Sequence, residues 1–273
     1  MKLICVVLGY SRQSYYKQQY DKSEKVKTLQ QVRQMVCQRR KLLPKLGTRK
    51  LHLLLKDELH DKRIKLGRDK LFALLRQEDL LIQRRKRYIQ TTNSRHWLRK
   101  YPNLVHDEKP SAPEQVWVSD ITYMKTTEGY CYLSMVTDAF SRKIMGYDVS
   151  TSLDAEHARK ALRMALANRS YPNRSIIHHS DRGLQYCSSE YVRLARKHNM
   201  CMSMTENSDP YENALAERMN RTIKEEFCLG QELPSAEFAI RSIDQAVALY
   251  NSYRPHLALK GLTPNVVHKN KQP

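Results

Sequence analysis

The order in which the hydrophobic periodicity changes along the chain constrains its fold more than any other feature. Between residues 24 and 43, Val26, Leu29, Val32, Val36 and Leu43 recur at helical spacing until Pro44 and Gly47 end the pattern. A second stripe carries Leu51, Leu54, Leu55 and Leu59, and a third, after Gly67, carries Leu71, Leu74 and Leu75 and leads into Leu80, Leu81 and Ile82. Short helices joined by tight turns are expected here, in the manner of a helix-turn-helix module, although such stripes equally serve plain core packing. From Arg84 to Pro113 the periodicity dissolves into Thr91-Thr92-Asn93-Ser94, Tyr101-Pro102-Asn103 and Pro110-Ser111-Ala112-Pro113, the texture of a basic linker. Trp97 and Tyr101 alternate there with Arg95, Arg99 and Lys100, a mixture that suits stacking on bases or docking against a neighbouring domain.

After Pro113 the period shortens. Strand-like runs at 116–124, 130–137 and 143–149, punctuated by Gly129 and Ser141-Arg142, predict an antiparallel meander. A helix capped by Asp154, with Ala158, Ala161, Leu162, Ala165 and Leu166 on one side, precedes an apolar strand at 175–178. Next come a helix at about 188–198, a short strand at 200–204, a long helix at about 212–229 and a last helix from Ser235 to Tyr250. Strands first and alternation afterwards argue an α/β fold with a mixed sheet covered on both faces. The expected organisation is a helical basic region over 1–88, a linker over 89–113 and a second domain over 114–273, for which 273 residues supply enough core without staples.

Charge divides along the same line. Residues 1–110 hold 28 basic and 10 acidic side chains, net +18, whereas residues 111–273 hold 20 and 18, net +2. So much charge on one segment favours a polyanion, because neutralising phosphates releases condensed counterions. A basic surface kept for solubility does not explain the near-neutral second half. The six cysteines show no Cys-x-x-Cys pair and are expected as reduced thiols. No apolar run approaches the roughly 20 residues that span a bilayer, so no membrane role and a cytoplasmic location are expected.

Three acids stand where chemistry is placed. Asp120 lies inside the first strand between Val118 and Ile121, a costly position for a carboxylate without a cation or donors. Asp181 directly follows the apolar strand, at the strand end where open α/β sheets present their sites. On the long helix, Asn213, Asn220, Arg221 and Lys224 fall within about 60° of Glu217, while Leu215 and Met219 point the other way. Taken singly, each acid is more often a turn former, a cap or part of a solvated face. Together they offer the hard oxygen ligands preferred by Mg²⁺ and Mn²⁺, two of which, roughly 3.5–4 Å apart, can serve in-line phosphodiester cleavage and joining.

The local text around them is more specific. Trp117-Val118-Ser119-Asp120-Ile121-Thr122-Tyr123, Thr137-Asp138-Ala139-Phe140-Ser141-Arg142-Lys143-Ile144, His179-Ser180-Asp181-Arg182-Gly183-Leu184-Gln185-Tyr186 and Glu212-Asn213-Ala214-Leu215-Ala216-Glu217 with Lys224 resemble the integrase catalytic core of bacterial insertion-sequence transposases, in particular the OrfB subunit of the IS-three family. Tyr250-Asn251, Arg254-Pro255-His256 and Thr263-Pro264 resemble its C-terminal signature, and 35 residues separate Asp181 from Glu217, as in that family's acidic triad. The resemblance implies a ribonuclease-H-like α/β core with a mixed five-stranded sheet and flanking helices, preceded by a small all-helical basic domain. It further implies Asp120, Asp181 and Glu217 as catalytic acids holding two Mg²⁺ or Mn²⁺ ions, with Asn213 and Lys224 in support.

Lys224, Arg221, Asn213, Arg182, Arg84, Arg85, Lys86 and Arg87 are the expected DNA contacts, and His179 is a further candidate for shaping the site. The implied activity is cleavage and strand transfer of an insertion sequence. The implied partners are its terminal inverted repeats, target DNA, further copies of the chain on DNA and an upstream-frame helix-turn-helix protein, supplied separately or as a fusion. The expected place of action is the bacterial nucleoid. A catalytically silent DNA-binding or regulatory protein on the same scaffold is the alternative. Ser208 stands where many relatives have Gly, before Asp209-Pro210.

Overall fold

The computed structural model describes residues 11–82, 97–105, 110–206 and 210–270. The chain divides into two compact units, Met1–Gln83 and Arg84–Pro273. Arg84, Arg85, Lys86, Arg87 and Ser208 lie outside the described residues.

In the first unit, α1 (Arg12–Leu42), α2 (Thr48–Asp61) and α3 (Arg68–Gln77) enclose Val32, Met35, Val36, Leu43, Leu46, Leu51, Leu55, Leu59, Leu71, Leu74 and Leu75. Burying each such side chain contributes about 1.5–3 kcal/mol before the entropy of ordering is set against it. α1 begins well before the stripe that predicted it at 24. The Ser11 hydroxyl accepts the Ser14 N–H at 3.0 Å and starts the helix, and the Gln, Lys, Tyr and Ser residues that follow hold helical backbone without an apolar face. That stretch therefore carried no periodicity to detect, and within this unit Tyr16, Tyr20, Val26 and Leu29 stay exposed.

The second unit is built on five strands, β1 (Val116–Thr126), β2 (Gly129–Asp138), β3 (Ile144–Ser150), β4 (Ile176–Ser180) and β5 (Met200–Met204), in the order β3-β2-β1-β4-β5. The meander β1-β2-β3 is antiparallel, and β4 and β5 run parallel to β1. Parallel pairing needs crossovers, supplied by α4 (Ala155–Ala167) and by the short α5 (Leu184–Cys187) with α6 (Ser189–Lys197). α7 (Ala214–Glu226), α8 (Ala236–Tyr253) and α9 (Pro264–Lys269) complete the unit. One core joins Trp117, Val136, Met145 and Ile176 to α4 and α6, and another joins Met124, Leu133, Met135 and Ile144 to α7 and α8. The sheet is thus mixed, five-stranded and flanked by helices.

Two local features set distances. Gly146 on β3 lies so close to α4 that a Cβ there would stand 2.1 Å from the Ala161 carbonyl oxygen, which is why α4 turns Ala158, Ala161 and Ala165 inward. Asp154 precedes α4 but does not cap it with its side chain; its carboxylate accepts the Ser152 hydroxyl at 2.6 Å instead. Ser188 and Ser235 do cap α6 and α8, accepting from Tyr191 and Phe238. The linker aromatics part ways: Tyr101 packs on the α4–α6 core and its hydroxyl accepts from Arg196 at 3.4 Å, while Trp97 is 91% exposed.

A buried polar network closes the unit. Glu114, in the left-handed region at φ 58°, accepts from Ser170 N at 2.6 Å, Tyr171 N at 3.2 Å and Arg169 Nε at 3.1 Å, with His268 Nε2 at 3.2 Å. Asp138 accepts Glu114 N at 2.6 Å and both donors of Ser141, whose hydroxyl meets His268 Nδ1 at 2.9 Å. The start of β1, the end of β2, the link after α4 and α9 are thereby tied at one point.

Arg169→Met removes one charged partner of Glu114, which keeps His268 and two backbone donors, so it should cost about 1.5–3 kcal/mol in urea unfolding at neutral pH. Gly146→Ala should also destabilise, through clash with the α4 backbone. Hydrogen bonds to the carboxylate, led by His268, overcome the opposing effect of burial and hold the Glu114 pKa below its ordinary 4.5. Its contribution is therefore present above pH 4.5 and lost as pH falls through the lowered value, a component that Glu114→Gln should remove from the acid-unfolding curve.

Candidate active site

The site is set by where pairing stops. β4 accompanies β1 only from Val116 to Ser119, so the next residue, Asp120, lies where the β4 side of β1 becomes open. Asp120 belongs to the face of Val118, which α7 covers. Its Oδ1 accepts the following Ile121 N–H at 2.9 Å and its Oδ2 accepts Asn220 Nδ2 at 2.8 Å. Asp181 immediately follows β4, the strand beside β1, and its Oδ1 accepts Gly183 N at 3.0 Å in the turn that opens α5. Glu217 lies in the first turn of α7 and is exposed.

Electrostatics bring the three acids into one neighbourhood. Burial first, and then the negative charge of Asp181, push the Asp120 carboxyl up to about 8; Asn220 and the Ile121 amide oppose the rise and Glu217 adds to it. Glu217 is raised by burial and opposed by Arg221. Lys224 is lowered by burial, with the Asp120 charge acting against that. Carboxylates that disfavour one another's ionisation are suited to a cation. Among the described residues, no three His, Cys, Asp or Glu side chains converge closely enough to hold one ion in this arrangement. The donor chemistry fits a hard divalent ion all the same: three carboxylates, with the amide oxygen of Asn220 buried beside Asp120 without a protein partner.

The remaining candidates divide between the site and its frame. Lys224 donates to Thr122 Oγ1 at 3.2 Å and to the Tyr123 carbonyl at 2.8 Å, so it lies along the open edge of β1. Arg221 is exposed one turn beyond Glu217, and Arg182 is partly buried next to Asp181. Asn213 is 6% exposed and its amide donates to the Ser119 carbonyl at 3.2 Å, joining the start of α7 to β1. The predicted helix from 212 is a 3-10 turn, Pro210–Asn213, with α7 starting only at Ala214, because Asn213 is drawn toward β1. His179 is also frame, its ring nitrogens meeting Ser203 Oγ at 2.9 Å and the Glu212 carbonyl at 3.0 Å, and burial lowers its pKa.

Below the acids, His178 is pushed down to about 3 by burial and is neutral, its Nε2 shared by Ser119 and Tyr191, each at 2.9 Å. Sequence reasoning put Asn220 on the right helix face but did not link it to Asp120, and it missed Thr122 and Tyr123 as the seat of Lys224. Spacing along one helix reports a face; it does not report which strand residue lies opposite. A cavity of about 650 Å³ takes in Val116, Val118, Asn213 and Leu215 and none of the three acids.

For Asp120 the folded pKa of about 8 lies above the ordinary 3.8, so its protonated form stabilises the native state. That contribution is complete below pH 3.8 and is lost as pH rises toward 8. The melting temperature of metal-free protein should contain such a falling component, absent from Asp120→Asn when the two are scanned side by side.

No helix of the described residues is long and apolar enough to cross a membrane. Integrase core domain models match residues 110–210 and 198–264. The 31 kDa protein of insertion element IS600 from Shigella sonnei is 32% identical over 265 residues, 96% of each chain. Transposase InsF of insertion sequence IS3A from Escherichia coli (strain K12) is 35% identical over 194 residues, 70% of this chain and 67% of the relative. The simian T-cell lymphotropic virus intasome, solved in complex with a PP2A regulatory subunit, shares the fold at 18% identity and a TM-score of 0.51, over 83% of this chain and 72% of that one. An integrase core, these relatives and a mixed five-stranded sheet with flanking helices together establish that the chain belongs to the IS3-family insertion-sequence transposases.

Proposed function

We propose that this transposase cleaves DNA at the ends of an insertion sequence and joins the freed 3′-hydroxyl to a second phosphodiester, with Asp120, Asp181 and Glu217 as its catalytic acids. The observation that carries the reading is the placement of Asp120 where β1 loses β4, with Asp181 directly after that neighbouring strand and Glu217 in the first turn of α7, the helix that covers the Asp120 face. A divalent cation would relieve the strain of ionising a partly buried acid near another acid. The three carboxylates would hold Mg²⁺ or Mn²⁺, two ions per site, and the ions would supply polarisation of the phosphate and a more acidic attacking hydroxyl.

The chain's own residues do the rest. Asn220 holds one Asp120 oxygen and leaves the other facing the backbone amide of Ile121, so the carboxylate keeps one orientation. Asn213 and His179 fix the start of α7, and with it Glu217, against β1 and β4. Lys224, Arg221 and Arg182 supply positive charge around the acids for the phosphate backbone. Arg84, Arg85, Lys86 and Arg87, with the other basic residues among the first 110, would add a sequence-independent grip on the element's terminal repeats and on target DNA. Two ends must be brought together for transposition, so the working form is a multimer on DNA, with an upstream-frame helix-turn-helix protein as partner or fusion.

Nicking and joining of a supercoiled plasmid carrying the element's ends, in Mg²⁺ or Mn²⁺, tests the reading against an EDTA control. Glu217→Gln and Asp120→Asn should each lower the rate about a hundredfold or more, the several kcal/mol a metal ion contributes at about 1.4 kcal/mol per factor of ten, while DNA affinity is kept. Full activity in either variant would sink the assignment. Tight, salt-sensitive DNA binding with no metal-dependent cleavage, even with the upstream product added, would favour the silent DNA-binding alternative.

A further inference from the structure

A cavity of about 650 Å³ lies in the second unit, walled by the start of β1, the turn between β2 and β3, the entry to α7 and the C-terminal segment. Val116, Val118, Phe140, Leu215, Leu259 and Leu262 give it an apolar lining. Packed interiors leave few voids larger than a water, and this volume falls in the range of small-molecule sites, about 300–1,000 Å³. Leu262 stays 45% exposed and marks the rim.

Two polar groups in the wall lack the partners that their chemistry requires. Arg142, half-buried, makes no ion pair among the described residues. The Asp138 charge acts on it, but the Asp138 oxygens already accept from Glu114 N and from both donors of Ser141. A guanidinium keeps its charge, so a partly buried one without a carboxylate is suited to an incoming anion. Asn213 is 6% exposed; its Nδ2 is used by the Ser119 carbonyl, and its Oδ1 has no partner among the described residues. That oxygen, on the cavity wall, calls for an N–H or O–H donor. Lys260 adds a second, exposed cation to the lining, and Glu212, an acid of the same lining, already accepts the Glu206 amide at 2.7 Å. Apolar walls would strip water from a bare phosphate without replacing it, so the negative charge must be carried by a ligand with an apolar body.

We propose that this cavity binds a small organic anion, its apolar body against β1 and Leu215, its carboxylate or sulfonate on Arg142 and an N–H or O–H on Asn213 Oδ1. The cavity takes in none of the three acids, so the inference stands apart from the DNA-cleavage reading.

The probe 8-anilinonaphthalene-1-sulfonate has the rings, the N–H and the anion, and N-phenyl-1-naphthylamine is the same molecule without the sulfonate. Fluorescence and calorimetric titration of the full metal-free chain should show one saturable site for the sulfonate probe, and the melting temperature should rise with its concentration. Arg142→Gln, checked for native circular dichroism and melting, should weaken the sulfonate probe about tenfold, as loss of a hydrogen bond to a charged group does, and leave the neutral probe unchanged. Leu262→Glu, at an exposed position, puts a like charge on the rim and should weaken the sulfonate probe as well. Absence of a saturable site in wild type would overturn the proposal, as would folded Arg142→Gln and Leu262→Glu variants that bind the sulfonate probe as tightly as wild type. Equal weakening of both probes by Arg142→Gln would overturn the anion contact and with it the class of ligand.

Discussion

The second unit is organised around the difficulty of keeping the Asp120 carboxylate in a β-strand covered by a helix. A charge there has lost water, and the fold answers with one amide from Asn220, one backbone donor from Ile121 and an edge that opens at the next residue. Asp181 makes the position costlier, because its charge lies close enough to raise the Asp120 pKa further. In the proposed reading, that cost is what a divalent cation would relieve.

Much of the surrounding structure holds that position still. Asn213 joins α7 to the Ser119 carbonyl, the residue before Asp120, and His179 joins β4 to β5 and to the turn entering α7. Farther off, Glu114, Asp138, Ser141 and His268 knot both ends of the meander to the C-terminal helix through buried charge. Gly146 lets α4 approach the sheet to within contact of backbone on backbone, which keeps the opposite face free of slack. Hydrogen bonds hold Asp120 and Asp181, and Lys224 lies along the edge of β1 beyond them.

How legible this was varied with the physics of each element. Strands β2 and β5 and the cap at Ser235 were readable because alternation and capping are local rules. The first half of α1 was not, since a helix held by propensity and a single serine cap leaves no apolar stripe. Asp154 carried the cap residue type, yet the nearby Ser152 hydroxyl took its carboxylate. Asn213 was read as one of the polar residues facing a ligand; the helical wheel gave its direction on a regular helix, but the chain there is a 3-10 turn, pulled in by a hydrogen bond to a strand distant in sequence.

Sequence by itself determined the two units' characters and the concentration of positive charge in the first 110 residues, and it singled out three acids as candidates, because composition, periodicity and ordered motifs are properties of the chain alone. Tertiary structure decided which groups face one another. That β4 ends its pairing at Ser119, that Asn220 donates to Asp120, and that Lys224 crosses to the edge beside Tyr123 all depend on register and on the packing of α7 over β1. Such contacts join residues about a hundred positions apart, and no local periodicity encodes a distance of that kind.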